Sequence, residues 1–267
     1  MGILNVTPDS FSDGGRYTTV ESAVERAKEM VDEGASIIDV GGESTRPGAR
    51  PVSASEELRR VLPVIERLAE LRFDDPASRD ARERGRHVPV SIDTRHVSVA
   101  RAAFAAGASI VNCVAPLGES MVRAANDAHA AIIARCRSRG DWERAIRLAG
   151  DASRVVFDPM IGFGTTRRED LALLAQVPDF ARFAPVAIGV SRKRIVRCLA
   201  SCVGPDRREP DDDPLRFLGG SIGAALWCAA HGVAIVRVHD VRETAQALAL
   251  TRVMDDVSGH GKGAVPA

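Results

Sequence analysis

Residues 1–15 read MGILNVTPDSFSDGG, and residues 37–49 read IIDVGGESTRPGA. Each opens as an apolar run of strand length and breaks abruptly into Gly, Pro, Asp, Ser and Thr, the pattern of a buried strand ending in an exposed working loop. VVFDPMIGFGTT at 155–166 makes the same break a third time. Ordinary turns seldom gather so many hydroxyls and acids at strand C-termini. Several loops converging on one pocket is the stronger reading.

Outward from these runs the chain alternates strand and helix. Val20, Ala23, Val24, Ala27, Met30 and Val31 recur at helical spacing, and Gly34 closes that helix. After the strand that opens the chain, further strands are expected at 36–40, 88–92, 109–114, 130–134, 154–157, 186–190 and 234–238. Helices are expected at 53–71, up to 106, and near 119–127, 142–149, 168–176, 192–202, 215–231 and 240–253. Ser53 and Glu56 have capping-box spacing at the second helix. Eight strand–helix units in 267 residues predict an α/β fold, a (β/α)8 TIM barrel forming a single domain over 1–257. Each parallel return needs a crossover, and a doubly wound open sheet, the alternative, rarely needs eight. The mixed-sign stretch 72–87 reads as a solvated excursion, 203–214 as a loop, and 258–267 as a disordered tail.

The 36 basic and 36 acidic side chains balance, so neither nucleic acid nor a membrane surface is implied as a partner, and an anionic ligand must be held by local groups. No apolar run approaches a membrane span and no signal peptide opens the chain, so a cytoplasmic location is expected. Cysteines 113, 136, 198, 202 and 228 are odd in number and form no CxxC. Reduced, mostly buried thiols are expected.

In a parallel barrel the active site lies at the strand C-termini. The polar residues there are Asn5, Asp39 with the 41–48 loop, Asp93, Asn112, Asp158, Ser191 to Arg194, Arg237 and His239. Carboxylates and amides fill one half of this ring. Arg192, Lys193, Arg194, Arg237 and His239 supply cationic or polar donors in the other. This suits a ligand with a hydrogen-bonding heterocycle, of pterin or guanine type, at one end and an anion at the other. Asp93 could instead cap the helix after it. Asp39 reads as an internal hydrogen-bonding residue that stiffens its loop.

NVTPDSFSDGG followed by DVGGESTRPGA resembles the paired signature of the dihydropteroate synthase family. SIDT at 91–94, DPMIGFG at 158–164, GVSRK at 189–193 and RVHDV at 237–241 follow in the family's order. The resemblance implies a (β/α)8 enzyme of folate synthesis, a transferase that condenses 6-hydroxymethyl-7,8-dihydropterin pyrophosphate with para-aminobenzoate and releases pyrophosphate. By motif, it places Asp93, Asn112, Asp158, Gly189 and Lys193 on the pterin. Asn5 with Mg2+, and Arg237 with His239, fall on the pyrophosphate, with Asp93, Lys193, Arg237 and His239 as the catalytic set. It places Phe11, Thr45, Arg46, Pro47, Phe163 and Arg194 around the arylamine, and it implies a homodimer. Leu218, Ile222, Ala225, Leu226 and Ala229 form an apolar stripe that could face either a partner or the barrel.

The sequence departs from the family at several points. The strand-four end reads Asn112, Cys113, Val114, Ala115, Pro116 and lacks an acid and a glycine. AIIARCRSRGDW at 131–142 replaces a Met-His-Met type run, and the span from Asn112 to Asp158 is shorter by roughly a helix with its loop. Met160 stands for a glycine, Thr165 for a common lysine and Arg194 for a serine. Arg194 raises the alternative of a larger or more anionic arylamine, as in methanopterin-type pathways. The lost acid and shortened unit raise that of a non-catalytic pterin-binding homologue.

Overall fold

A computed structural model describes residues 1–7, 19–43, 51–73, 85–200 and 217–258. The elements alternate as expected. They are β1 (Gly2–Asn5), α1 (Thr19–Asp32), β2 (Ile38–Gly41), α2 (Ala54–Glu70), β3 (Val90–Asp93), α3 (Val97–Ala105), β4 (Ile110–Cys113), α4 (Glu119–Asp127), β5 (Ala131–Arg135), α5 (Arg139–Ala149) and β6 (Val155–Asp158). After these come α6 (Arg167–Ala175), α7 (Val177–Ala181), β7 (Ala187–Ile188), α8 (Arg194–Ala200), α9 (Leu218–Ala230), β8 (Ile235–Val236) and α10 (Val241–Val257). The chain forms two compact units, Met1–Pro159 and Met160–Ala267. The expected loop at 203–214 and nearly all of the expected tail, 259–267, lie outside the described residues.

In the first unit six parallel strands pair in sequence order, β1 to β6. Leu4, Val40, Ile92, Val111 and Ile132 are buried between the sheet and its helices, as expected of parallel strands covered on both faces. Burying each such side chain contributes about 1.5–3 kcal/mol. In the second unit β7 and β8 pair in parallel, Ala187 with Ile235 and Ile188 with Val236.

Local chemistry sets the helix ends. Ser53 Oγ accepts the Glu56 backbone N–H at 3.2 Å. The Glu56 carboxylate turns to Arg60 at 2.8 Å, so only half of the expected capping box forms. A full box closes α6 instead, between Thr166 and Glu169. The short α7, with a proline in its first turn, was not expected. Cys113, Cys136 and Cys228 are free and buried. Burial pushes their thiols up to about 11, about 12 and about 12 respectively, which makes them inert packing groups. Cys198 and Cys202 lie outside the described side chains.

Candidate active site

Register assembles a polar row in the first unit. Asn5 pairs with Gly41, Gly41 with Asp93, and Asp93 with Asn112. Register partners in parallel strands point to the same face, so one row carries an amide, a gap, a carboxylate and an amide. Gly41 is the gap: a Cβ there would lie 3.8 Å from Asn5 Oδ1 and 3.6 Å from Asp93 Cβ. Asp158 pairs with Arg135 across β6 and β5, two residues beyond the register row of Asn112, Ile133 and Val156. By the period of two, Asp158 shares that row's face.

One row below, Asp39 is fully buried, and its Oδ2 accepts Asn112 Nδ2 at 3.2 Å. That bond fixes which way the Asn112 amide faces. Asn112 Oδ1 is left buried, with no hydrogen-bond partner among the described residues. An orphaned buried carbonyl costs about 1–3 kcal/mol, which an N–H of a bound heterocycle would offset. Asp39 therefore acts as the internal hydrogen-bonding residue the sequence suggested, through a partner the sequence did not reveal. Asp93 is not a cap: the N-cap of α3 is His96, whose backbone N–H donates to Thr94 Oγ1 at 3.1 Å.

The second unit carries a cationic set of its own. Lys193 Nζ donates to the Ile161 carbonyl and lies 4.3 Å from the Phe163 ring centroid. Gly162, at φ +81°, lets the chain pass Lys193, since a Cβ there would lie 3.0 Å from Lys193 Cδ. Gly189 faces the same lysine, with a virtual Cβ 3.6 Å from Nζ and 3.9 Å from Arg237 Cβ. Ser191 Oγ accepts the His239 backbone N–H at 3.3 Å and lies 3.1 Å from His239 Nδ1. The serine hydroxyl thus holds both the backbone and the ring of His239.

Two of the sequence-nominated cations make contacts within the second unit. Arg192 forks onto Asp240, with Nε to Oδ2 at 3.1 Å, and ties β7's end to the start of α10. Arg194 Nη2 donates to the Thr165 carbonyl at 2.6 Å and stands 3.9 Å from the buried Asp170. Asp170 also receives Gly162 N–H and the Thr165 hydroxyl. The substitutions at 165 and 194 thus form one local set of contacts. Met160, which replaces a glycine, is 2% exposed and sits at φ 57°. The left-handed backbone explains why a glycine suits that position. Of the expected arylamine residues, Phe11, Thr45, Arg46 and Pro47 lie outside the described residues.

Near the end of β2, Glu43 accepts Nε and Nη2 of Arg95, both at 3.0 Å, and the Val52 N–H at 3.2 Å. His96 Nε2 lies 3.3 Å from the Val52 carbonyl and 3.9 Å from Glu57 Oε2. Glu43, Glu57 and His96 could in principle share a cation. With both Glu43 oxygens held by Arg95, the group reads better as an ion-pair cluster. Glu57 is wholly buried, which sequence periodicity missed. Burial pushes its carboxyl up from the ordinary 4.5, with Thr94 and His96 opposing. A carboxyl raised in the native state contributes its stability below the unfolded pKa and loses it as pH rises through the native one. Glu57→Gln should therefore raise the melting temperature at pH 7, with the difference vanishing as pH falls below about 4.5; a pH series of thermal melts checks this.

The first unit thus holds a polar row at the ends of parallel strands with a buried amide oxygen left unpaired, and the second holds a Lys-Arg-His set. The chain matches the family described as pterin binding enzyme over residues 1–140 and 141–239. Dihydropteroate synthase of Bacillus subtilis (strain 168) is 37% identical over 281 residues, covering 98% of this chain and 89% of that protein. That of Escherichia coli (strain K12) is 37% identical over 282 residues, covering 93% and 88%. The structure of Xanthomonas albilineans dihydropteroate synthase with 4-aminobenzoic acid has a TM-score of 0.80 at 37% identity and covers 99% of this chain and 93% of that one. The chain belongs to the dihydropteroate synthase family of transferases, and its fold class is the (β/α)8 barrel expected from the strand count.

Proposed function

We propose that this chain condenses 6-hydroxymethyl-7,8-dihydropterin pyrophosphate with para-aminobenzoate to give 7,8-dihydropteroate and pyrophosphate, working as one domain over 1–257 in the cytoplasm. The observation that carries the reading is near full-length similarity to synthases solved with 4-aminobenzoic acid and with 7,8-dihydropteroate. Asp93, Asn112 and Asp158 take the pterin's N–H donors. Gly189 leaves space beside Lys193, which also holds the pterin. Asn5, Arg237 and His239 hold the diphosphate. Phe163 bounds the arylamine, as do Phe11, Thr45, Arg46 and Pro47. Arg194 serves that pocket from its tie to Thr165.

Asn5 Oδ1 is a hard oxygen donor, and Mg2+ characteristically takes one or two protein oxygens together with substrate phosphates. The residue present therefore fits a Mg2+ ion, which when bound would neutralise diphosphate charge. The remaining chemistry belongs to side chains. Arg237 and His239 stabilise the leaving diphosphate as its C–O bond breaks. The Asp93 and Asp158 carboxylates stabilise the cation that develops at the pterin methylene in this SN1-like step, and the arylamine nitrogen then adds and loses its proton. No protein nucleophile is required. Pyrophosphate release should require both substrates and fall to background when a chelator removes Mg2+; release without an arylamine would sink the transferase reading.

Among the described residues, no helix is long and apolar enough to cross a membrane. The apolar surface instead runs along α10, where Leu250, Val253, Met254 and Val257 are 64%, 47%, 58% and 79% exposed at helical spacing. We assign this stripe to a homodimer contact. The α9 stripe expected from sequence is mostly half-buried, with only Ala225 fully inside. Leu250→Lys combined with Met254→Glu should convert the dimer to a monomer in sedimentation velocity, and a monomeric parent protein would refute the assignment.

A further inference from the structure

A cavity of about 190 Å³ lies in the first unit, between the segment after β4, the end of β5 and the face of α5. Its lining combines Arg135, Arg137 and Arg144 with the apolar Leu117, Ala145 and Leu148. Asp141 also borders it, but its Oδ2 already accepts the Arg137 backbone N–H at 2.9 Å and the Ser138 hydroxyl at 3.0 Å. Three guanidiniums therefore face one carboxylate whose oxygen is engaged in the first turn of α5.

Neither Arg135 nor Arg144 forms a hydrogen bond or ion pair among the described residues. Arg135 is half-buried, although β5 pairs it in register with Asp158. A guanidinium drawn partly out of water without an anion is unfavourable, and its planar fork matches a carboxylate in two-pronged fashion. A cavity of about 150 Å³ suffices for a benzene-sized apolar body, so this one accommodates a six-carbon body with its charged group at the arginines.

We propose that this cavity is a binding site for a small organic carboxylate with a compact apolar body. The test is calorimetric titration of the full chain with cyclohexanecarboxylate, with cyclohexylmethanol as the uncharged analogue and inorganic phosphate as the anion without an apolar body. The carboxylate should bind saturably in the presence of excess para-aminobenzoate, and the alcohol and phosphate at least tenfold more weakly. Arg135→Ala and, separately, Arg144→Ala should each weaken binding by roughly tenfold, the size of one charge-assisted hydrogen bond. Arg144 is exposed, so its variant keeps the test open should Arg135→Ala fail to fold. Leu148→Trp should abolish binding by filling the cavity while leaving pyrophosphate release intact. Absent binding, displacement by para-aminobenzoate, equal binding of phosphate, or indifference to the arginine variants would each overturn the proposal.

Discussion

Lys193→Ala is expected to lower kcat/KM by roughly 10²–10³-fold, the loss typical of removing one preorganised charged donor from a water-poor site. The lysine is held by the Ile161 carbonyl and by the Phe163 ring 4.3 Å from its ammonium. Gly162 and Gly189 leave it space that a side chain would fill. It is therefore positioned before substrate arrives, and its truncation weakens the substrate complex and, more strongly, the transition state. Steady-state kinetics should show KM for the pterin substrate rising together with a fall in kcat. Lys193→Arg should not restore activity, because a wide planar fork does not fit beside Gly189 and Gly162. Near-normal kinetics in Lys193→Ala would remove Lys193 from the pterin site.

Asp93→Asn is expected to be comparably severe, for a different reason. The change keeps size and shape but removes the charge that stabilises a developing cation, so the defect should fall mainly on kcat, by about 10²-fold or more. Asp93 ends β3 beside Gly41 and does not cap α3, and asparagine keeps its size and shape. The variant should melt close to the parent. A fall in kcat accompanied by a large loss of stability would mean that Asp93 is structural.

The strands and the polar residues at their ends were legible because each signal is local: an apolar run, then a break into Asn or Asp. The internal bonds were not. Asp39 meets Asn112 across 73 positions of sequence, and Ser191 meets His239 across 48, pairings that only register and packing create. Arg192 illustrates the converse. Its position predicted a ligand-facing cation, yet Asp240, 48 residues away, takes both arms of its fork. Glu57 gave no sequence signal because an acid in a helix ordinarily faces solvent; here α2 turns it inward, against Thr94 and His96. The short α7 was hidden because Pro178 reads as a breaker, although proline is welcome in a helix's first turn.

The central claim is that the strand-end polar row and the Lys-Arg-His set carry out pterin transfer to an arylamine. The most direct measurement is mass-spectrometric detection of 7,8-dihydropteroate when the purified chain is incubated with 6-hydroxymethyl-7,8-dihydropterin pyrophosphate, para-aminobenzoate and Mg2+. The predicted result is dihydropteroate and pyrophosphate in equal amounts, dependent on both substrates and lost in Asp93→Asn. Folded protein that binds the pterin substrate yet forms no dihydropteroate would contradict it.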